Sequence, residues 1–501
     1  MFLMFEFFLA LLPIALVLIG IAKFDLPAKI MAPISWVIAL ASSVFFFTAA
    51  SPQELITTSI NGVLDGARIV WLIFAAFVML QIMLKSGAMD KIKNGLVEVT
   101  GDKRLVVVLL AIPFGTFIEG AAGAGSPAAL TAPFLVALGM NPVLAAAACL
   151  IGNSAPNSWG GAGVTTVVGA GTFVDFVEAS AMTGRMASLV YLILPILMIS
   201  FVFGVKALKG IWKEILVLGV MMGAINFSIS NNIFLPITEL TSLVGGFIGT
   251  ILYSAYLGLR NEKGDDIPEE YRLNRISKVE KQGVRQLVVS LSPYFILCVL
   301  LVTVRLSFPI SALIAFGGGY TVWVGSVILS SSLIAAIIFG QVPVMPSAML
   351  DSFRKVIPAL IAMGFLLAMV NCMRMSGQVS TLAQTISAAT GFFYPVAAVL
   401  IGQIGGFITG TNLGSNLMFN PLHVEAARNL GLNPIVIVAA QNTGGAIGNM
   451  ICPHNIIAVC ACVSILGREG EVMRKTLVPS IILMLFLGTL AMIYTYLVFP
   501  L

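Results

Sequence analysis

Runs of about 20 apolar residues recur from one end of this chain to the other, and each is long enough to cross a hydrocarbon core of about 30 Å. Candidate spans lie near residues 3–22, 31–49, 69–85, 186–205, 213–230, 233–257, 286–304, 320–340, 356–374 and 477–499. Of the 501 residues 59% are hydrophobic and only 10% charged, with a mean hydropathy of +1.03; a soluble domain carries about 25% charge. The chain is therefore predicted to be an all-α polytopic membrane protein. Leu3–Ala22 has no basic leader and no small-residue cleavage site, so it reads as a span and not as a signal peptide.

Two stretches break the apolar pattern in the same way. Gly115–Gly163 reads GTFIEGAAGAGSPAALTAPFLVALGMNPVLAAAACLIGNSAPNSWGGAG, and from Gly405 the chain reads GGFITGTNLGSNLMFNPLHVEAARNLGLNPIVIVAAQNTGGAIGNMICPHN. Each is predicted to hold a re-entrant helical hairpin (104–138 and 392–430) followed by a broken helix (142–171 and 434–466). In the first, half-helices 142–152 and 164–171 flank the polar break. Non-helical backbone at membrane depth survives only when buried in protein or lining a wet cavity.

The halves are duplicates. Ser86-Gly87, Thr100-Gly101 and Gly115-x-Phe117-Ile118-x-Gly120 recur 290 residues later as Ser376-Gly377, Thr390-Gly391 and Gly405-x-Phe407-Ile408-x-Gly410. Gly139-Met-Asn141-Pro142 recurs as Gly431-Leu-Asn433-Pro434. The halves, 1–259 and 286–501, flank a hydrophilic segment, 260–285, expected to be a solvated cytoplasmic connector. With it inside, all 27 Lys and Arg except Arg68, Arg185, Arg305, Arg374 and Arg428 fall on the cytoplasmic side. The positive-inside rule then puts both termini outside and makes the repeats inverted, the arrangement of secondary transporters with a midplane site.

Asn141-Pro142, Asn433-Pro434, Ser126-Pro127 and Asn420-Pro421 each have the form of an N-cap followed by proline at the first helical position. Helix starts at hairpin tips offer N–H donors and a positive dipole end to a small anion. Gly120, Gly123, Gly125, Gly410 and Gly414 allow close backbone approach to a ligand. Glu119, in the first tip, is a candidate proton carrier, and its repeat partner is Thr409. His454, in the second break, is a second candidate for proton handling or substrate contact. His423, Glu425 and Arg428 lie along the second hairpin's return arm, where Arg428 can pair with Glu425. Glu6 and Glu239 fall at membrane depth with no site around them.

The six cysteines, Cys149, Cys298, Cys372, Cys452, Cys460 and Cys462, lie in or beside apolar segments and read as packing residues. No metal-ligand spacing occurs, and neither H-E-x-x-H nor G-x-S-x-G is present, so an intramembrane enzyme is disfavoured. A channel needs a continuous polar path, whereas these breaks are isolated between apolar arms.

The motifs IEGAAGAGSPAALTAPFLVALG, LIGNSAPNSWGGAG, FITGTNLGSN and AAQNTGGAIGNMICPHNIIAVCACVSILGREGEVMRKTL resemble the L-lactate permease family. The resemblance implies a proton-coupled symporter of lactate, glycolate and related 2-hydroxy monocarboxylates, an elevator-like cycle, a homodimer and a place in the cell membrane. Sodium coupling of another small organic anion is the alternative reading. Matching positions are Glu119, Gly120, Gly123, Ser126, Asn153, Ser154, Thr409, Asn412, Ser415, Asn416, Gln441, Asn442, Asn449 and His454; Gly125, Asn157, Ser158 and Thr443 join them as candidate substrate contacts. No cofactor beyond the coupling ion and no nucleic-acid partner is expected. The family commonly has Phe at position 124, Ala at 126 and apolar residues at 157–158. Ala124, Ser126, Asn157 and Ser158 make this half-site roomier and more polar, suited to a larger or more hydroxylated acid.

Overall fold

The computed structural model describes residues 2–501 apart from 23, 25, 48, 124–125, 261–266, 274–283, 309–311 and 313–318. Among the described residues 11 helices are long and apolar enough to cross a membrane, or 12 if a bent pair counts as one span.

Two long helices form the spine. Pro52–Lys85 has 34 residues and Met345–Met375 has 31, about 51 and 46 Å at 1.5 Å per residue. The first starts well before the apolar run at 69–85. Ser51 Oγ accepts from the Glu54 N–H, the Glu54 carboxylate accepts from the Ser51 N–H, and Pro52 occupies the first helical position, a capping box whose following turns are too polar to read as a span. The helices cross where glycine removes the side chain: a Cβ on Gly62 would lie 2.6 Å from the Ala368 backbone.

The duplication is reciprocal in space. Ala28–Phe45 packs on Met345–Met375, and its counterpart Tyr320–Ile338 packs on Pro52–Lys85. Phe2–Ala22 packs on Gln378–Thr390 of the second repeat, and Val284–Ser307 packs on Ala88–Val97 of the first. Gly87 and Gly377, with φ of +70° and +87°, make the same left-handed turn from a spine helix into a short amphipathic helix. Each hairpin returns to the side it left, because its arms pack on each other. Between the hairpins six helices among the described residues are long and apolar enough to cross: Phe176–Val202, Trp212–Ser230, Thr238–Leu259, Val288–Ser307, Tyr320–Ile338 and Val342–Met375. With the first broken helix, 142–167, counted as a seventh crossing the number is odd, in keeping with inverted repeats.

Of the connector's interior only 267–273 lies within the described residues, mostly exposed but touching the base of the first hairpin. The Leu273 N–H donates to the Gly101 carbonyl at 3.0 Å, the Arg272 backbone forms an isolated antiparallel bridge with Asp102, and Ile267 is buried. The Arg104 guanidinium lies 4.1 Å from the centre of the Tyr271 ring and forms a buried 2.6 Å ion pair with Asp102. It also donates to the carbonyls of Ala207 and Lys209. These contacts anchor the base of the first hairpin. Segment 305–319 lies largely outside the described residues.

Candidate functional site

The first hairpin's outgoing arm is Lys103–Ala111, capped by Asp102, continued after a kink at Ile112 by Pro113–Ala122. Proline at 113 lacks an N–H and restricts the residue before it, which places the kink. All of Pro113–Ala122 is buried, and Gly123 ends it with φ of +66°. Glu119 is fully buried one turn before that end. A Cβ on Gly160 would collide with the Glu119 carboxylate, and one on Gly123 would lie 3.0 Å from the Gly161 nitrogen. The tip thus rests directly on the backbone of the first break.

Asn141 caps Pro142–Gly152 by accepting from the N–H groups of Val143 and Leu144. Beyond Asn153 the chain makes a 3-10 turn at Pro156–Trp159 and then a left-handed run through Gly161, Ala162 and Gly163, with φ of 58°, 51° and 83°. Helix resumes at Val164 but runs only to Val167, a shorter half-helix than the sequence suggests, because turns replace it from Val168 on. The left-handed form strains Ala162 by about 1–2 kcal/mol. Tyr320 holds it, donating to the Ala162 carbonyl at 2.7 Å. On the other side, Gly163 packs against the backbone of Glu239, whose carboxylate pairs with Arg305 at 2.8 Å in a buried ion pair.

In the second hairpin Tyr394–Thr409 ends at Gly410 (φ +70°), and Thr411 starts Asn412–Leu430 by accepting from the Gly414 N–H. Thr411, not Asn420, is therefore the cap. Asn420-Pro421 lies inside a continuous helix, and Asn420 donates to the Gly169 carbonyl at 2.7 Å.

A buried amide network couples this hairpin to the first break. The Asn442 side-chain oxygen accepts from Asn412 and Asn416 at 2.9 and 2.8 Å. Its Nδ2 donates to the hydroxyls of Thr166 and Thr183. Asn416 also donates to the Thr165 carbonyl. These carbonyl acceptors fix which way each amide faces. Behind the network Gln441 donates to Ser415, and His423 bridges the Gln441 carbonyl oxygen and the Tyr394 hydroxyl at 2.9 and 2.8 Å.

Both tips and the first break enclose a narrow cavity, about 40 Å³ of which is open to the centres of water molecules. Its polar lining comes from Glu119, Asn157, Thr165, Thr411 and Asn412, and the spine helices supply Leu72, Ile73 and Met363. Among the described residues no Lys or Arg lines it. An anion there meets amides, hydroxyls and the N-terminus of a 19-residue helix, and one carboxyl. Asn157 Nδ2 and Asn412 Oδ1 are buried without a protein partner, each at a cost of about 1–3 kcal/mol unless water or a ligand satisfies it.

Of the residues singled out from sequence, Glu119, Gly123, Asn157 and Asn412 line this cavity. Asn153 and Ser158 are buried nearby, each with an unpartnered side-chain atom, outside its lining. Ser415, Asn416, Gln441 and Asn442 form the supporting network, and the hydroxyls of Ser154, Thr409 and Thr443 are held by backbone carbonyls. Asn449 accepts from Asn455. His454 is exposed on the helix Pro453–Cys462; it lies against Gly410 at the second tip but is not among the residues that line the cavity. Gly125 and the Ser126 side chain lie outside the described residues, as does Ala124. Arg428 and Glu425 form no ion pair among the described residues. Thr165, Thr166, Thr411 and Tyr320 are not legible as site residues: hydroxyls in apolar helices commonly bond their own segment, as those of Thr165 and Thr411 do here, and only the fold sets these residues beside the cavity.

The family described as L-lactate permease matches residues 6–357 and 348–498. The glycolate permease GlcA of Escherichia coli (strain K12) is 27% identical over 548 residues, covering 97% of this chain and 95% of that protein. The L-lactate permease of Salmonella typhi is 28% identical over 532 residues, with the same coverage. Among solved structures, the YdaH transporter of Alcanivorax borkumensis matches with a TM-score of 0.51 at 14% identity, over 93% of this chain and 96% of that one, a likeness of fold. With the family's signature running through nearly the whole sequence, both hairpins and both breaks included, the chain belongs to the L-lactate permease family.

Proposed function

We propose that this protein is a proton-coupled symporter of small 2-hydroxy monocarboxylates such as lactate or glycolate. Its relatives are permeases, and it is a transporter and not an enzyme. The observation that carries the reading is the cavity between the tips, whose polar wall has uncharged donors, a helix N-terminus and the single carboxyl of Glu119. The substrate carboxylate sits at the N–H groups that open Asn412–Leu430, and its 2-hydroxyl at Asn157 or Thr165. An ionised Glu119 repels that carboxylate by about 4 kcal/mol at 4 Å and an effective dielectric of 20. Substrate therefore binds when Glu119 carries its proton, and the two travel together.

Alternating access in this reading is elevator-like. The bonds from Asn416 and Asn420 to Thr165 and Gly169 join the second hairpin to the first break as one body. That body meets the spine helices at the cavity through apolar Leu72, Ile73 and Met363, which can slide. We also propose a homodimer in the cell membrane with both termini extracytoplasmic, the last supported by the Lys/Arg distribution. His454 takes no part in coupling here.

Uptake of labelled lactate and glycolate into proteoliposomes, with pH and Na⁺ gradients imposed separately, tests the reading. Accumulation driven by the pH gradient alone is expected; accumulation driven only by Na⁺ would replace the proton with sodium, and none with either would end the symport proposal.

A further inference from the structure

A second, larger chamber of about 330 Å³ lies on the Arg68 side. Arg68 and Asp65 line it as a half-exposed ion pair at 2.7 Å, with Asn371, Thr172 and Tyr320. Its relation to the inner cavity follows from the lining residues. The first spine helix gives Ile69 to the chamber and Leu72 to the cavity, and the second gives Leu367 and Met363. The first break gives Val167 and Val164, and the second hairpin gives Leu417 and Leu413. In all four elements the two residues are three or four positions apart, one helical turn. The two spaces are therefore stacked along one line, and what separates them is a partition about one turn thick built from apolar side chains.

We propose that the cavity communicates with water through the Arg68 chamber, and that this four-sided apolar collar is the gate on that route. Two sides of the collar belong to the spine and two to the body carrying the hairpins and break, so relative sliding opens it without breaking a buried polar contact within either. Among the described residues the polar tie at this boundary is the hydrogen bond from Tyr320, which lines the chamber, to the Ala162 carbonyl beside the cavity. It latches the closed form. The collar excludes water and stray ions because desolvating an unpaired charge there is costly, and its bore limits the acyl chain that passes. The route deepens the transport reading and rests on it only for this last point.

The test is cysteine accessibility in a Cys462→Ser background, since Cys462 is the one cysteine among the described residues that is exposed. Arg68→Cys marks the chamber and Thr165→Cys the cavity. A membrane-impermeant maleimide is applied to right-side-out and inside-out vesicles. The expected result is that Thr165→Cys is labelled slowly, from the same face as Arg68→Cys. Adding Leu417→Ala or Tyr320→Phe speeds it roughly tenfold, equivalent to ~1.4 kcal/mol off the opening barrier, and beyond any change at buried Cys149. Labelling only from the opposite face, no labelling even with both collar changes, or equal acceleration at Cys149 would overturn the proposal. Uptake of 2-hydroxyvalerate relative to lactate is measured alongside and should rise with Leu417→Ala. Absence of any hydroxy-acid uptake by the native protein defeats the transport reading while leaving the labelling result to judge the route.

Discussion

In the proposed mechanism Glu119→Gln separates the proton from the substrate with least disturbance to the cavity. Glutamine has nearly the shape of glutamate, so the tip can keep its seat on Gly160, where a side chain as small as a methyl would already collide with the carboxylate. What changes is charge. Repulsion of about 4 kcal/mol between an ionised Glu119 and a carboxylate 4 Å away corresponds to roughly a thousandfold difference in substrate affinity between the two protonation states. Linkage is reciprocal, so substrate raises proton affinity at Glu119 by the same factor. In the native protein, substrate binding should be strong at low pH and weaken as pH rises. In Glu119→Gln the neutral amide mimics the protonated acid: binding and counterflow exchange become pH-independent, and accumulation driven by a pH gradient is lost. Proteoliposomes report both, exchange with equal substrate on each side and accumulation with an imposed gradient. Native pH-driven accumulation by Glu119→Gln would refute the assignment, because among the described residues no other carboxyl lines the cavity.

Other consequences are simpler to check. Asn442→Leu removes both ends of a side chain that makes four side-chain hydrogen bonds, and at about 0.5–1.5 kcal/mol each should lower the melting temperature in detergent and abolish uptake; native melting would mean the network is not structural. Ala162→Gly relieves a left-handed alanine (φ 51°) and should stabilise by about 1 kcal/mol, read as a higher melting temperature, with an unchanged or lower one counting against strain. Arg104→Met strands buried Asp102 at about 3–5 kcal/mol and should cut the yield of monodisperse protein, while adding Asp102→Asn should recover part of it. His454→Ala should keep near-native proton-driven uptake; loss of proton dependence would return that histidine to the mechanism.

The inverted duplication was readable because its signals are local. Gly87 and Gly377 occupy left-handed turns that disfavour other residues. Asn141 and Asn433 cap helices through their own side chains, one or two peptide units away. Asn420-Pro421 carries the same local signal and misleads, because tertiary packing can offset the lost hydrogen bond and ring clash of a proline inside a helix. The polar start of Pro52–Lys85 escapes a sequence reading for the opposite reason: its exposed Gln53 and Asn61 and half-exposed Asp65 do not look like membrane helix, although Ser51 and Glu54 cap it.

By itself the sequence determined that this chain lies in a bilayer, that it is built twice in opposite senses, and that non-helical backbone recurs at matching depths. Those properties follow from hydropathy, capping chemistry and charge, which act over a few residues. Which polar groups share a cavity was decided only in three dimensions. Glu119, Asn157 and Asn412 are brought to one wall by contacts between segments hundreds of residues apart. The same packing consumes Asn442 and His423 in bracing and leaves His454 beside the second tip but off the cavity's lining. A side chain's chemistry is set by its type, but whether it meets a ligand or a neighbour depends on which other surfaces close around it.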